Sequence, residues 1–278
     1  MFNNEFLKKY SILKKLGTGT TSSVFKVLAV DSRKVFTCKQ IKHRKYTAIR
    51  EINVLRKLPN DPRFPQYKES IENDDIINIV MSHKDGKELF EWFIDILESD
   101  IGNISEQCVK NIFIQMVKII MMLHDAKLCH LDIKLENFIV STDSKNTISI
   151  IDFGAAHSFF RSKTALSKIV GTMGYAPYET YKGEYCHTSD SWSLGVCLWT
   201  LLTKTKPFTH IRSIEPVSED DFDFPTLGHL KMKHMMTPAA FDLINKLLIN
   251  DPMERLCVND ILEHKWLSCK EDAVSINT

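Results

Sequence analysis

The sequence predicts an α+β chain of two lobes, on three observations. The first third is rich in β-branched and aromatic runs broken by short polar turns. From about residue 89 the apolar period becomes helical. A hydrophobic content of 44% over 278 residues is ample for a sizeable core. The expectation is a small β-rich lobe with one main helix over about 1–84, a larger helical lobe over about 85–267, and a short tail at 268–278. A cleft between two such lobes is the default place for a ligand.

Each element has its own signal. Tyr10 to Leu16, Val24 to Val30 and Val35 to Ile41 read as an antiparallel meander, separated by Gly17 to Ser23 and by Asp31-Ser32-Arg33-Lys34. A helix follows, capped by Thr47, with Ile49, Ile52, Val54, Leu55 and Leu58 at helical spacing before Pro59. Two further strands fit Tyr67 to Ile71 and Ile76 to Met81. Ser105 caps a helix carrying Val109, Ile112, Phe113, Met116, Ile120 and Leu123. Short strands return at Phe138 to Val140 and Ile148 to Ile151. Helices then cover Trp192 to Leu202, a segment opened by Thr237-Pro238, and Val258 to His264.

Composition excludes several classes. Lys and Arg number 36 against 35 Asp and Glu, a formal net charge of +1, so no nucleic acid partner is expected. Seven scattered cysteines without a C-x-x-C pair read as reduced thiols, not a zinc site or a disulfide framework. The N-terminus lacks a basic leader followed by an apolar run. The longest apolar stretch, Val109 to Leu123, is broken by Lys110, Asn111, Gln115 and Lys118, so no membrane span is expected. The chain is expected to be an intracellular monomer, cytoplasmic with the nucleus also open to it. Lys42-His43-Arg44-Lys45 reads as a solvated loop, not a nuclear signal.

Three motifs carry chemistry. Leu16-Gly17-Thr18-Gly19-Thr20-Thr21-Ser22-Ser23-Val24 lies between two strands, where glycines let backbone N–H groups approach phosphate. By itself an ordinary hairpin loop explains that string better. Lys39 sits on the third strand and Glu51 follows twelve residues later in the helix. Together they suit an ammonium held against phosphates, or equally a solvated pair. The third motif discriminates. Cys129-His130-Leu131-Asp132-Ile133-Lys134-Leu135-Glu136-Asn137-Phe138 is followed twenty residues after Asp132 by Asp152-Phe153-Gly154. Phosphoryl transfer needs a carboxylate for the hydroxyl proton, a cation for the γ-phosphoryl group and oxygen ligands for magnesium. Asp132, Lys134, Asn137 and Asp152 supply these, with Asn137 and Asp152 as the metal ligands.

These motifs resemble the eukaryotic protein kinase family over 10–267, the expected catalytic domain. The resemblance extends to Gly174-Tyr175-Ala176-Pro177-Tyr178-Glu179, Asp190-Ser191-Trp192-Ser193-Leu194-Gly195 and Arg255, which in the family pairs with the residue at Glu179. Lys134 matches the serine/threonine type, and the whole is similar to calmodulin-dependent-type kinases. The resemblance implies a bilobal kinase fold, ATP and Mg²⁺ as cofactors, and protein substrates with Ser or Thr acceptors. It also implies an adenine site with Leu16, Val24 and Thr37 above the ring and Ile139 below. Met81 would be the gatekeeper, His83 would lie in the hinge, and Glu88 would bond ribose. Gly17, Gly19, Lys39 and Glu51 would serve the phosphates. Glu136 and Glu88 would face a substrate arginine, giving a preference for basic upstream residues. Thr164 and Ser167 are expected autophosphorylation sites, with Thr172 structural.

Four departures from the pattern stand out. Ser22 replaces the third glycine, and Leu131 replaces the arginine before the catalytic aspartate. Pro177-Tyr178-Glu179 replaces Ala-Pro-Glu, and the spacing from Lys39 to Glu51 is short, which predicts a late or shortened helix. Leu131 predicts weak dependence on activation-segment phosphorylation. A pseudokinase scaffold is the alternative from another class, and a small-molecule kinase is a second. The intact Lys39, Asp132, Asn137 and Asp152 speak against the first, and the segment from Asp152 to Glu179 against the second.

Overall fold

The computed structural model describes residues 2–19, 22–73, 75–100, 102–142, 146–158, 164–165, 170–208, 219–222 and 235–268. The chain is α+β and divides into two compact units. The first comprises 1–88 with 137–157, and the second comprises 89–136 with 158–278.

The first unit is built on a five-stranded antiparallel sheet, β1 (Tyr10–Thr18), β2 (Ser22–Ala29), β3 (Val35–Lys42), β4 (Tyr67–Asn73) and β5 (Ile76–Ser82). Spatial order is β1-β2-β3-β5-β4. Directly paired residues share a face. Val24, Lys39 and Ile79 therefore make one row, and Lys26, Thr37 and Met81 make the next row of that same face. Helix α2 (Lys45–Leu55) buries Ala48, Ile52, Val54 and Leu55 at helical spacing. Its start corrects the expected cap: Thr47 lies inside the helix, and Arg44 at the N-cap makes no side-chain capping bond. Its first residue, Lys45, lies two residues before Thr47, and Glu51 is its seventh.

An additional helix, α1 (Asn4–Lys9), precedes the sheet. Asn3 caps it by accepting from the Phe6 N–H at 2.9 Å. The six residues are too few for a helical period to show in the sequence. The helix is held by aromatic packing: the Phe6 ring lies 4.5 Å from Phe2 and 5.1 Å from Tyr10. A small second sheet joins β6 (Lys87–Glu88), β7 (Phe138–Val140) and β8 (Ile148–Ile150). Gly86 enters it at φ +147°, and a Cβ there would collide with the Val140 carbonyl oxygen.

The second unit is helical. Helix α3 (Leu89–Glu98) buries Leu89 and Phe93. Helix α4 (Glu106–Asp125) opens on Ser105, which accepts from the Cys108 N–H at 3.2 Å as its sequence suggests. A one-turn helix α5 (Tyr178–Tyr181) precedes α6 (Ser189–Thr203), every residue of which is buried. That all-round burial explains why α6 shows no amphipathic stripe. Gly195 lets α7 (Pro238–Leu247) approach, since a Cβ would stand 2.8 Å from that of Leu247. Thr237 caps α7 with Pro238 in its first turn. The last expected helix, Val258 to His264, is shorter, α8 (Val258–Ile261), and a further turn, α9 (Lys265–Ser268), follows it. Among the described residues no helix is long and apolar enough to cross a membrane.

Glu179 of α5 is clamped by Arg255. Nη1 reaches Oε1 at 2.7 Å and Nη2 reaches Oε2 at 3.1 Å. The remaining guanidinium hydrogens go to the carbonyls of Thr188, Ile249 and Asn250. Both residues are buried, so each charge depends on the other. Replacing Arg255 with Ala strands the Glu179 carboxylate and should cost about 3–5 kcal/mol. Chemical denaturation followed by tryptophan fluorescence measures it; an unchanged midpoint would contradict this account.

Candidate active site

The first unit assembles one constellation. Lys39 Nζ donates to Glu51 Oε1 at 2.8 Å and to Asp152 Oδ1 at 2.6 Å. Lys39 points from the sheet face described above, and Glu51 faces it from the buried side of α2. Burial alone would push the ammonium down, but the charges of Glu51 and Asp152 overcome it and hold Lys39 above its ordinary value. Burial pushes the Glu51 carboxyl up, and its Oε2 has no hydrogen-bond partner. The short spacing from Lys39 to Glu51 thus still closes the pair.

Asp152 adopts φ +59°, a conformation uncommon outside glycine, and its Oδ1 also accepts from the Gly154 N–H at 3.1 Å. The turn is fixed from several sides. The Ile151 N–H donates to the Asn137 carbonyl at 2.8 Å, and the Ile150 N–H donates to that of Arg63 at 3.0 Å. The Phe153 ring is buried 6.4 Å from Phe64. Arg50, next to Glu51, donates to the Gly154 carbonyl at 2.5 Å and bonds His157 Nε2 at 3.0 Å. Arg50 has no sequence signal beyond its place beside Glu51, because its partners are a distant carbonyl and an imidazole.

The other expected nucleotide residues of this unit take these places. Val24, Thr37 and Met81 share the face of Lys39. Leu16 is exposed at an irregularity of β1. Gly17 has nothing within 4 Å of a built Cβ, so internal packing does not demand glycine there. Gly19 donates its N–H to the Ser22 carbonyl at 2.8 Å. Ile139 is buried on β7, paired with Glu88 of β6. His83 follows β5, and its Nδ1 lies 2.8 Å from Thr37 Oγ1. The oxygen donors of Asp152 and Asn137 suit a hard divalent cation such as Mg²⁺, and the Lys39 ammonium suits phosphate.

The second unit assembles another constellation. Thr172 Oγ1 donates to Asp132 Oδ1 at 2.6 Å and accepts from Lys134 Nζ at 2.9 Å. Lys134 Nζ also lies 3.2 Å from Asp132 Oδ2. The segment is held from beneath by Asp190, whose carboxylate accepts from the N–H groups of His130 and Leu131, both at 2.9 Å, and bonds His124 Nε2 at 2.8 Å. Burial would raise the Asp190 carboxyl, but these donors hold it below the usual range. Cys129 Sγ completes a buried group with His124 and Asp190 whose ligand atoms lie within 4.8 Å, yet the carboxylate is already engaged by three donors. The motif from Asp190 to Gly195 marked this aspartate in the sequence, but not its bonds to His124, His130 and Leu131.

Leu131 is buried at φ +63°. Gly171, at φ +101°, brings the chain against it, for a Cβ would come 2.9 Å from the Leu131 carbonyl oxygen. Glu136 is half-buried and its Oε2 has no hydrogen-bond partner. Ser167 and the tail 269–278 lie outside the described residues, as does the side chain of Thr164.

Comparison with known proteins agrees with this geometry. The Protein kinase domain family matches residues 10–267. Calcium-dependent protein kinase 24 of Arabidopsis thaliana is 29% identical over 97% of this chain and 46% of its own length. Serine/threonine-protein kinase cds1 of Schizosaccharomyces pombe is 32% identical over 92% of this chain and 58% of its own. Calcium-dependent protein kinase 22 of Arabidopsis thaliana is 32% identical over 94% and 55%. The chain thus spans about half the length of the relatives it matches. With nearly its whole length matched, and both constellations formed from the motif residues, the chain belongs to the protein kinase domain family.

Proposed function

We propose that this chain is an active protein serine/threonine kinase that transfers the γ-phosphoryl group of ATP to Ser or Thr hydroxyls of proteins. The observation that carries this reading is the Asp132–Thr172–Lys134 group, a carboxylate and an ammonium held together by one hydroxyl. The buried Lys39–Glu51–Asp152 group supports it. A scaffold that only binds has no use for both constellations intact.

The roles follow from chemistry. Lys39, oriented by Glu51, anchors phosphate oxygens by charge. Asp152 and Asn137 would hold Mg²⁺, which would supply neutralisation of phosphate charge. Asp132 orients the acceptor hydroxyl and takes its proton, while Lys134 offsets the negative charge that develops on the transferred group. Thr172, as the shared partner of both, keeps them in register. Positioning and electrostatics account for most of the rate. We also infer that the protein works inside the cell, on its free cysteines, of which Cys38, Cys129, Cys186 and Cys197 are buried.

A preference for basic substrates rests on the charge of Glu136, a half-buried carboxylate two residues after Lys134. A substrate guanidinium would pair with that charge. Weak dependence on activation-segment phosphorylation rests on Leu131, a buried aliphatic side chain in the position where the family carries an arginine.

Asp132→Asn should lower kcat by about 10²- to 10⁴-fold, the range of a positioned base. Turnover of a generic protein substrate with Mg²⁺ and labelled ATP measures it, and a near-normal rate removes Asp132 from the chemistry. Glu136→Gln should raise the KM of an arginine-bearing peptide by about tenfold, the worth of a charged hydrogen bond, and leave an arginine-free peptide unaffected. Equal effects on both peptides would end the substrate reading. Phosphatase-treated protein should keep most of its activity; a large loss would end the reading of Leu131.

A further inference from the structure

Four side chains of the first unit form a chain of contacts that none of the roles above uses. Lys26 Nζ donates to Asp85 Oδ1 at 3.0 Å. His83 Nε2 lies 3.3 Å from the same oxygen. On its other side, His83 Nδ1 lies 2.8 Å from Thr37 Oγ1. Lys26 and Thr37 are direct neighbours on β2 and β3, in the row that continues to Met81.

One proton arrangement satisfies all these contacts with a neutral ring. A carboxylate only accepts, so the proton of the imidazole belongs on Nε2, facing Asp85. Nδ1 then carries the lone pair, and the Thr37 hydroxyl must donate to it. Thr37 is β-branched and stiff about χ1, so this bond fixes both its hydroxyl and its methyl. The exposed Lys26–Asp85 pair adds little stability of its own. Its consequence is to set the tautomer of His83.

The ring is poorly placed to hold a proton on both nitrogens. Its side chain is 11% exposed. Burial chiefly, with Lys26 from β2 and the adjoining Lys84, pushes His83 below its ordinary value, while Asp85 alone opposes them. Protonation would turn Nδ1 into a donor. The Thr37 hydroxyl would have to accept instead, and its hydrogen would swing away from the ring.

We propose that His83 is a positioning residue for the nucleobase: its neutral ring, oriented by Asp85 and Lys26, sets the direction of the Thr37 hydroxyl for adenine binding, and acid reverses that direction. This rests on the nucleotide-binding reading above and adds to it a side-chain role within the segment that follows β5. The sign is definite. Binding selects the neutral ring, so affinity is complete above the depressed His83 pKa and falls as pH drops through it.

The test is adenosine binding measured calorimetrically from pH 8 down to pH 5.5, because adenosine carries no group that titrates across that range. Wild type should weaken by about two- to tenfold on acidification, the worth of one hydrogen bond. His83→Gln offers an oxygen to Thr37 and an amide N–H to Asp85 at every pH, so its affinity should stay level. Thr37→Val should bind less tightly than wild type at pH 8 and show no further acid loss. A level wild-type profile, or an equal acid loss in His83→Gln, overturns the inference while leaving nucleotide binding intact. Failure of folded wild type to bind adenosine at any pH overturns the nucleotide reading and this inference together.

Discussion

A buried ammonium is an expensive thing to place in a protein, and Lys39 is held at 8% exposure. Removing such a charge from water costs several kcal/mol unless partners replace the lost hydration. Here the partners are two carboxylates drawn from positions 12 and 113 residues away in the chain. β3, α2 and the turn at Asp152 must therefore come together for any of the three charges to be tolerated. The rest of the first unit serves that meeting. The sheet register aims Lys39, α2 buries Glu51, and Arg50 with Phe64 holds the turn where Asp152 sits at positive φ.

The second unit solves a parallel problem with a different device. Asp132 and Lys134 lie on a segment without regular structure, which would wander without support. Asp190 supplies it from the first turn of a wholly buried helix, spending its carboxylate on two backbone N–H groups and a histidine. The Glu179–Arg255 clamp fixes the segment that leads into that helix. In both units an uncommon backbone conformation, Asp152 in one and Leu131 in the other, lies at or beside a candidate functional residue. Such conformations persist only where surrounding bonds over-determine them.

Much of this was legible in advance where local chemistry has a short signature. The strands of the sheet, the Ser105 and Thr237 caps and the string around Asp132 are of that kind. Legibility failed where the deciding interaction was distant. Thr47 is a good capping residue by type, yet α2 begins ahead of it at Lys45, with no side-chain cap at Arg44. Helix α1 is too short to show a period and exists because Phe6 finds Phe2 and Tyr10. The helix expected to run to His264 breaks after Ile261, where His264 bonds Asp242 at 3.0 Å.

By itself, the sequence determined the family, the α+β class and the identity of the residues with chemistry, since those depend on residue type and spacing along one chain. Tertiary structure alone decided which groups those residues meet. Thr172 bridging Asp132 and Lys134, Arg50 on the Gly154 carbonyl, and His83 on Thr37 all join residues between 38 and 104 positions apart. No local pattern encodes such pairs. They arise because a packed interior forces each buried polar group to find a partner wherever the fold brings one.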